Sequence, residues 1–322
     1  MESRAVVLVG GLGPDRLAAL EGDPLAGDAD DLVVEALQVH LDAARFGVVE
    51  RAVTEAREVE VGAELEILRA RADEIAALAG PRVALLEYGS GAGVKVRLLL
   101  DALEAPVAYV PIDISAAQLA RVAGDLAAAY PAVAVRPRAA DYTAPVHLPP
   151  LPLGVRRLAF FPGSTIGNFH PTEAAAFLHR VRRVVGPQGA LVLGVDRRKD
   201  ARTLHAAYND PGGVTAAFNL NVLARLNREL GADFDLSRFR HRAFYDPEAS
   251  RIEMHLESLD AQVVHVAGER ITFECGETIW TESSYKYDSP RLHRLVLSAG
   301  FSIKRLWTDV GEQFWVAFLT AR

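Results

Sequence analysis

The stretch VALLEYGSG, Val83–Gly91, runs from an apolar segment directly into a glycine-containing loop. Two later apolar or β-rich runs end on an acid, Asp113 in VPIDIS and Asp141 in AADY. We interpret the three runs as parallel strands that deliver their loops to one edge of a sheet. Glycines let a backbone approach a ligand closely, and the two acids suit the hydroxyls of a ribose and the amino group of an adenine. The spacing therefore predicts a site for a nucleoside-bearing ligand.

The glycine spacing distinguishes between two kinds of nucleoside ligand. A dinucleotide site favours G-x-G-x-x-G, with helix N–H groups around a pyrophosphate. Here the glycines are Gly89, Gly91 and Gly93, so the third comes one residue early, and Glu87 precedes all three. A carboxylate in this place would repel a pyrophosphate but could accept a hydrogen bond from an ammonium group. The loop thus favours S-adenosylmethionine over NAD as the cofactor, and a methyltransferase as the class of protein.

Composition excludes several other classes. The chain has 322 residues, of which 50% are hydrophobic and 24% charged, an ordinary globular mixture with room for one large domain or two modest ones. Its net charge of −7, without a long basic run, disfavours nucleic-acid binding. The single Cys275 excludes an intrachain disulfide, and the nine histidines show no HxxxH or HxH spacing, so we predict no metal site.

The same features indicate where the protein resides. The N-terminal apolar run is preceded by an acid and interrupted by glycines, unlike a signal peptide. No stretch approaches the roughly 18–20 apolar residues that a membrane span requires. We therefore expect a cytoplasmic protein that binds neither membranes nor nucleic acids.

Hydrophobic periodicity predicts a helical start followed by strand–helix alternation. Helices are expected at 31–49 and 63–77, with 51–61 as an exposed connection. The alternating strands are expected near 83–88, 107–112, 133–138, 157–162 and 190–195, and the helices near 94–104, 116–129 and 172–185. Such alternation predicts a parallel sheet that is covered on both faces.

After Asp196 the pattern changes. A long helix is expected at Val214–Leu230, followed by β-like runs at 251–256, 262–266, 270–273 and 277–282. A helix at 290–299 and a closing hairpin of 302–307 and 314–319 complete the chain. We predict an α/β fold in which a Rossmann-like class I methyltransferase sheet, 64–198 and 286–322, is joined by a second α+β lid domain, 1–63 and 199–285.

Four longer segments resemble one family, the histidine-specific Nα-methyltransferases of ergothioneine biosynthesis. They are FFPGSTIGNF (160–169), AYNDPGGVTAAFNLNVLARLNRELGADFDL (207–236), RIEMHL (251–256) and GETIWTESSYKY (276–287). The similarity covers roughly residues 64–322. It implies S-adenosylmethionine-dependent trimethylation of the α-amino group of L-histidine to histidine betaine, with the small amino acid substrate bound between two domains.

The resemblance also implies roles for matching residues in the cofactor half. Gly89 matches the family's cofactor loop, Asp113 its ribose-binding acid, and Asp141 and Tyr142 its adenine-side pair. Lys95 matches a lysine in the helix after the loop.

In the substrate half, Asn168 and Tyr208 match residues that hold the amino and carboxylate ends of the substrate. Glu282 and Ser284 match residues that face the imidazole ring, whereas Met254 matches a wall of the same pocket and Gly163 a further substrate-binding position. The resemblance thus divides the predicted site into a cofactor half and a substrate half.

One segment departs from the family. The family has two tyrosine-containing stretches before the helix that matches Glu64–Ala77, and two of those tyrosines contribute to the cofactor lid and the histidine site. Residues 44–64 read ARFGVVERAVTEAREVEVGAE, without tyrosine, tryptophan or proline. Two alternatives therefore stay open: an N-methyltransferase for another aromatic amino acid or a histidine derivative, and a non-catalytic cofactor-binding paralogue.

Overall fold

The stretch that begins at Val83 forms an interior strand of an eight-stranded sheet and the loop after it. The computed structural model describes Val6–Val7 and residues 58–322. The strands, in chain order, are β1 (Val6–Val7), β2 (Ala84–Tyr88), β3 (Ala108–Asp113), β4 (Ala134–Val135), β5 (Arg138–Ala139), β6 (Arg157–Phe161), β7 (Ala190–Asp196), β8 (Phe239–Asp246), β9 (Arg251–Ser258), β10 (Gln262–Val266), β11 (Glu269–Phe273), β12 (Thr278–Tyr285), β13 (Phe301–Thr308) and β14 (Phe314–Ala321). The helices are α1 (Glu58–Ala79), α2 (Val94–Ala102), α3 (Ala116–Ala129), α4 (Pro171–Val185), α5 (Ala201–Tyr208), α6 (Val214–Leu230) and α7 (Ser289–Ser298).

The larger sheet has the strand order β13-β14-β7-β6-β2-β3-β4, and β5 also pairs with β3. The strands from β7 to β4 run parallel to their neighbours, and β14 runs antiparallel to both β7 and β13. Every residue of β2, β3 and β7 is buried, as in sheets that are covered on both faces. The predicted Rossmann-like α/β sheet and its closing hairpin are confirmed.

Strand register brings three loops to one edge of this sheet. Tyr88 lies opposite Ile112 between β2 and β3, and Ile112 lies opposite Arg138 between β3 and β5. Glu87 lies opposite Phe160 between β2 and β6. Because parallel strands end on the same side, the segments that follow β2, β3 and β6 emerge next to one another.

The chain divides into two compact units. The sheet unit comprises Arg57–Lys199 and Tyr285–Arg322, and the inserted unit comprises Met1–Ala56 and Asp200–Ser284. Within the inserted unit, the described strands form a sheet of order β1-β12-β9-β8 and a separate β10-β11 hairpin. Its core consists of apolar residues from α6 and from the strands, among them Leu223, Leu256 and Phe273.

Inside the sheet unit, the segments that leave and re-enter this unit are tied together. The Tyr287 N–H donates to the Asp196 carbonyl at 3.0 Å, and the Arg198 N–H donates to the Tyr287 carbonyl at 2.8 Å. The carboxylate of Asp196 forms ion pairs of 2.7 Å with both Lys199 and Lys286. Backbone pairing and two charge pairs therefore converge on the last residue of β7.

Three expectations from the sequence were wrong or incomplete. Helix α5 and strand β8 were not predicted. Helix α5 is short and begins after Asp200, whose side chain accepts a hydrogen bond from the Arg202 N–H at 2.8 Å. Strand β8 carries arginines on its exposed positions. The connection expected at 51–61 is wrong at its end, because residues 58–61 are already helical. The helix expected at 31–49 and the divergent segment up to residue 57 lie outside the described residues.

Candidate active site

The loop after β2 requires glycine. Gly89, Gly91 and Gly93 all have positive φ, at 74°, 47° and 70°. Side chains with a Cβ rarely adopt this backbone conformation, whereas glycine adopts it freely. A Cβ atom on Gly93, the N-cap of α2, would also lie 2.8 Å from Cγ1 of Val122 in α3. The loop is therefore a tight, side-chain-poor turn at the carboxyl edge of the sheet.

Asp113 faces this loop from the end of β3. Its side chain is buried, and its Oδ1 atom accepts a hydrogen bond from the Ser115 N–H at 3.0 Å. Burial raises the pKa of Asp113, while backbone N–H groups of Ser115 and of the loop residues Gly91 and Ser90 favour its ionised form. The structure thus brings the glycine loop and the predicted ribose-binding acid together.

Asp141 and Tyr142 complete the same edge. The Asp141 Oδ1 atom accepts from the N–H and the hydroxyl of Thr143, at 2.8 and 2.7 Å, so the acid shapes its own turn. The ring of Tyr142 is buried and lies 3.8 Å from the position that a Cβ of Gly89 would take. The predicted adenine-side pair therefore lies beside the glycine loop.

Glu87 is a buried carboxyl group on β2, and the hydroxyl of Tyr109 donates a hydrogen bond to it. Burial is the largest cause that raises the pKa of Glu87 to about 8, and the nearby acids Asp113 and Glu64 act in the same direction. The Tyr109 hydrogen bond and the charge of Lys95 oppose the rise. A carboxyl group with a strongly raised pKa in a ligand-binding edge is typical of a functional site.

Lys95 and Gly163 meet at a residue that the sequence analysis did not single out. The Lys95 ammonium in α2 donates to Oε2 of Glu64 at 2.6 Å, and the Gly163 N–H donates to the same oxygen at 2.9 Å. Glu64 belongs to α1, and no local motif marks it. Because Glu64 balances the charge of Lys95, this edge fits a cofactor without phosphate better than a dinucleotide.

Asn168 lies at the end of a short 3-10 turn, Thr165–Asn168, that follows β6. Ser164 begins this turn with a φ of 54°, and its Oγ atom accepts from the Asp196 N–H at 2.8 Å. The turn is therefore fastened to the end of β7, and Asn168 belongs to the sheet unit.

The remaining predicted substrate residues belong to the inserted unit, where the structure brings three of them together. The Tyr208 hydroxyl at the end of α5 donates to Oγ of Ser284 on β12 at 2.9 Å. Met254 on β9 is buried in a cluster that includes Tyr208. Glu282 is also buried and lies two positions before Ser284, so the two side chains point to the same face of an extended strand.

A histidine that the sequence analysis missed holds Tyr208 in place. Nδ2 of Asn219 lies 2.9 Å from the His255 carbonyl and 3.0 Å from Nδ1 of His241. A carbonyl oxygen can only accept, so the Asn219 side chain must turn its NH2 group toward the His255 carbonyl. The same NH2 group then donates to His241, so Nδ1 of His241 must be the unprotonated, accepting ring nitrogen. Nε2 then carries the proton and donates to the Tyr208 carbonyl at 2.8 Å. No clear signal in the sequence marked His241, because the arginines on either side of it obscure the alternation of β8.

The described part of the chain contains neither a metal site nor a membrane span. Within 58–322, no group of three or more His, Cys, Asp and Glu side chains is placed to hold a metal ion. No helix in that part of the chain is long and apolar enough to cross a bilayer.

The sheet topology, the glycine loop and the acids at the ends of β2 and β3 define a class I, S-adenosylmethionine-dependent methyltransferase. The chain belongs to the family of histidine-specific, S-adenosylmethionine-dependent methyltransferases, whose profile matches residues 60–321. This membership favours an enzyme over a non-catalytic paralogue.

Three relatives illustrate the range of this similarity. A histidine N-alpha-methyltransferase of Mycobacterium tuberculosis is 42% identical over 78% of this chain and 79% of its own. The protein of the same name from Mycolicibacterium smegmatis is 41% identical over the same shares. A 4-dimethylallyltryptophan N-methyltransferase of Claviceps purpurea is 26% identical over 77% of this chain and 79% of its own.

Proposed function

We propose that this protein transfers methyl groups from S-adenosylmethionine to the α-amino group of L-histidine, giving histidine betaine for an ergothioneine-type pathway. The observation that carries the proposal is the Tyr208–Ser284 hydrogen bond beside Met254, with Glu282 two residues away on the same strand. The resemblance to the histidine-specific methyltransferases implies a role in substrate binding for these residues, and the chain belongs to that family. A cytoplasmic location is part of the proposal, and the single cysteine supports it.

We assign the cofactor to the sheet unit. When bound, S-adenosylmethionine supplies an electrophilic methyl group on a sulfonium. Glu87 is suited to accept from the ammonium group of its methionine part, and Asp113 from the ribose hydroxyls. Asp141 and Tyr142 are suited to the adenine, beside the close backbone of the glycine loop. The full set proposed for the cofactor is Glu87, Gly89, Gly91, Lys95, Asp113, Asp141 and Tyr142.

Neutral polar groups suit the reacting amine. Methyl transfer is an in-line displacement, so alignment of the donor and acceptor atoms is the main demand on the protein. The amine must be neutral to attack, and desolvation lowers the pKa of an amine. Tyr208 is a buried neutral hydroxyl, and Asn168 is a neutral amide. They can position the nitrogen without adding positive charge, and they tolerate a product that ends as a quaternary cation.

The ring of histidine requires a different set of partners. Glu282 can accept from one imidazole N–H, and Ser284, whose Oγ already accepts from Tyr208, can donate its own hydroxyl proton to the other ring nitrogen. Gly163 and Met254 would complete the substrate set. A site that hydrogen-bonds both ring nitrogens rejects amino acids that leave those polar groups unpaired.

Isothermal titration of histidine in the presence of S-adenosylhomocysteine tests this proposal. Glu282→Gln should weaken histidine binding about tenfold or more, because a charge-assisted hydrogen bond is lost, and should leave S-adenosylhomocysteine binding unchanged. Glu257→Gln is the matched control: it alters another buried carboxylate of the same unit, one that pairs with Arg240 at 2.6 Å. The proposed substrate would be overturned if Glu282→Gln weakened the binding of histidine and of S-adenosylhomocysteine equally. It would also be overturned if histidine gave no heat of binding with the unmodified protein.

A second candidate is an N-methyltransferase for another aromatic amino acid or a histidine derivative. The family's tyrosines are missing from 44–64, and the relative from Claviceps purpurea bears the name of a tryptophan-derivative enzyme. Titration with tryptophan and with N-methylated histidines, followed by mass spectrometry of the products, separates the two. Mono-, di- or trimethylhistidine supports the first candidate, whereas a methylated product from tryptophan alone supports the second.

A further inference from the structure

Glu64 is a fully buried carboxylate that joins three parts of the cofactor edge. Its two oxygens accept from the Gly163 N–H at 2.9 and 3.1 Å, and one of them accepts from the Lys95 ammonium at 2.6 Å. Lys95 lies in the helix that follows the glycine loop, and Gly163 lies in the loop that follows β6. One side chain on α1 therefore connects the segments that follow two different strands.

The neighbouring strand β7 leaves space for this carboxylate. A Cβ atom on Gly194 would overlap Oε1 of Glu64 and would lie 3.1 Å from the Gly163 nitrogen. Gly194 has no positive φ, so its backbone conformation does not explain the glycine. The space that a side chain at 194 would fill is the space that the Glu64 carboxylate occupies.

The charges around Lys95 indicate what the carboxylate does. Lys95 is near enough to Glu87 to favour the ionised form of that acid, but its ammonium forms the ion pair with Glu64. If Lys95 paired with Glu87 instead, it would neutralise the carboxylate that we assign to the ammonium group of the cofactor. The Glu64 carboxylate is buried and the Lys95 side chain is 17% exposed, so an ammonium that loses this partner is expected to turn to the next acid.

We propose that Glu64 is a positioning residue for the cofactor, which acts through Lys95 by holding the lysine's ammonium group away from Glu87. The same carboxylate holds the Gly163 turn. This inference rests on the assignment of the cofactor to the sheet unit and is independent of which amino acid is methylated.

Titration of the full-length protein with S-adenosylhomocysteine tests the proposal without any activity readout. Glu64→Gln should weaken binding about tenfold or more, since the charge-assisted pair with Lys95 is lost. Glu74→Gln is the matched control on the same helix, where Glu74 accepts from Nε1 of Trp307 at 2.9 Å. The control should bind S-adenosylhomocysteine as the unmodified protein does. Unchanged binding by a folded Glu64→Gln protein would overturn the proposal.

A double-mutant cycle shows whether Glu64 acts through Lys95. In a Lys95→Met background, the added Glu64→Gln change should cost less than about threefold in affinity, because no ammonium remains to be redirected. A loss as large as in the unmodified background would mean that Glu64 acts by another route, and would overturn the proposed role.

Gly194→Ala keeps the proposal testable if Glu64→Gln does not fold. The added methyl group would displace the Glu64 carboxylate while leaving Lys95 and Glu87 chemically intact. We expect Gly194→Ala to weaken S-adenosylhomocysteine binding. In the Lys95→Met background, the same substitution should reduce the affinity much less. A folded Gly194→Ala protein with unchanged affinity would contradict the role assigned to Glu64.

Discussion

At the scale of single residues, Glu87 shows how burial changes the chemistry that a motif predicts. The sequence predicted a carboxylate ready for an ammonium group. The structure buries the carboxyl group, adds a hydrogen bond from Tyr109, and raises the pKa of Glu87 to about 8. Without a cationic ligand the group therefore holds a proton at neutral pH. A ligand with a positive charge would favour the ionised form, so cofactor binding and proton release are coupled at this residue.

This raised pKa predicts a pH-dependent stability. Between pH 4.5, the ordinary pKa of a glutamate, and about 8, the folded protein binds a proton that the unfolded chain has lost. Stability from this group is therefore present below pH 4.5 and is lost as pH rises to about 8. Glu87→Gln should remove that loss.

Thermal unfolding without cofactor at several pH values measures the effect. The difference in Tm between Glu87→Gln and the unmodified protein should increase from pH 5 to pH 8.5. The increase should be about 2–4 °C for each kcal/mol of unfolding free energy that the unmodified protein loses over this range. A difference in Tm that stays constant over this range would show that Glu87 ionises normally.

At the scale of secondary-structure elements, local pattern determined most of what was predicted. Helices α3 and α6 and strand β10 have the expected bounds, because their apolar period is undisturbed. Strand β8 was missed because its exposed arginines mask the alternation. The glycine loop was recognised from spacing alone, since its conformation depends on residues next to one another.

Gly93 in this loop and Gly124 in α3 predict opposite effects of the same substitution. Gly93→Ala should destabilise the protein by about 1 kcal/mol or more, because φ is 70° and the new Cβ would lie 2.8 Å from Val122. Gly124→Ala should stabilise it by about 0.5–1 kcal/mol, because this glycine is inside α3 and a Cβ there meets nothing within 4 Å. Urea unfolding measures the change in the free energy of unfolding for each variant. A change in the same direction for both variants would contradict the explanation.

At the scale of the whole molecule, the chain leaves and re-enters the sheet unit next to Asp196. Lys286 is fully buried and pairs with Asp196 at 2.7 Å, as does Lys199. A buried charge that loses its partner is costly, so this cluster makes the connection between the two chain segments specific.

Asp196→Asn should therefore destabilise the sheet unit by roughly 3–5 kcal/mol, the cost of breaking a buried pair. Asp260→Asn is the control, since Asp260 pairs with Arg238 at 3.3 Å with both side chains largely exposed and should change stability by less than about 1 kcal/mol. Calorimetric unfolding distinguishes the two. A small effect of Asp196→Asn would show that Lys286 is satisfied by other groups.

The parts of this protein that could be read from its sequence are those whose cause is local. Apolar periodicity predicted the α/β sheet, and the spacing of Gly89, Asp113 and Asp141 predicted the cofactor edge, because parallel strands must end together. The partners of Lys95 and Tyr208 depended on the tertiary structure. Glu64 reaches Gly163 across 99 positions, and His241 reaches Tyr208 across 33. Buried polar groups must find partners, but only the packed fold decides which carboxylate or carbonyl comes within reach.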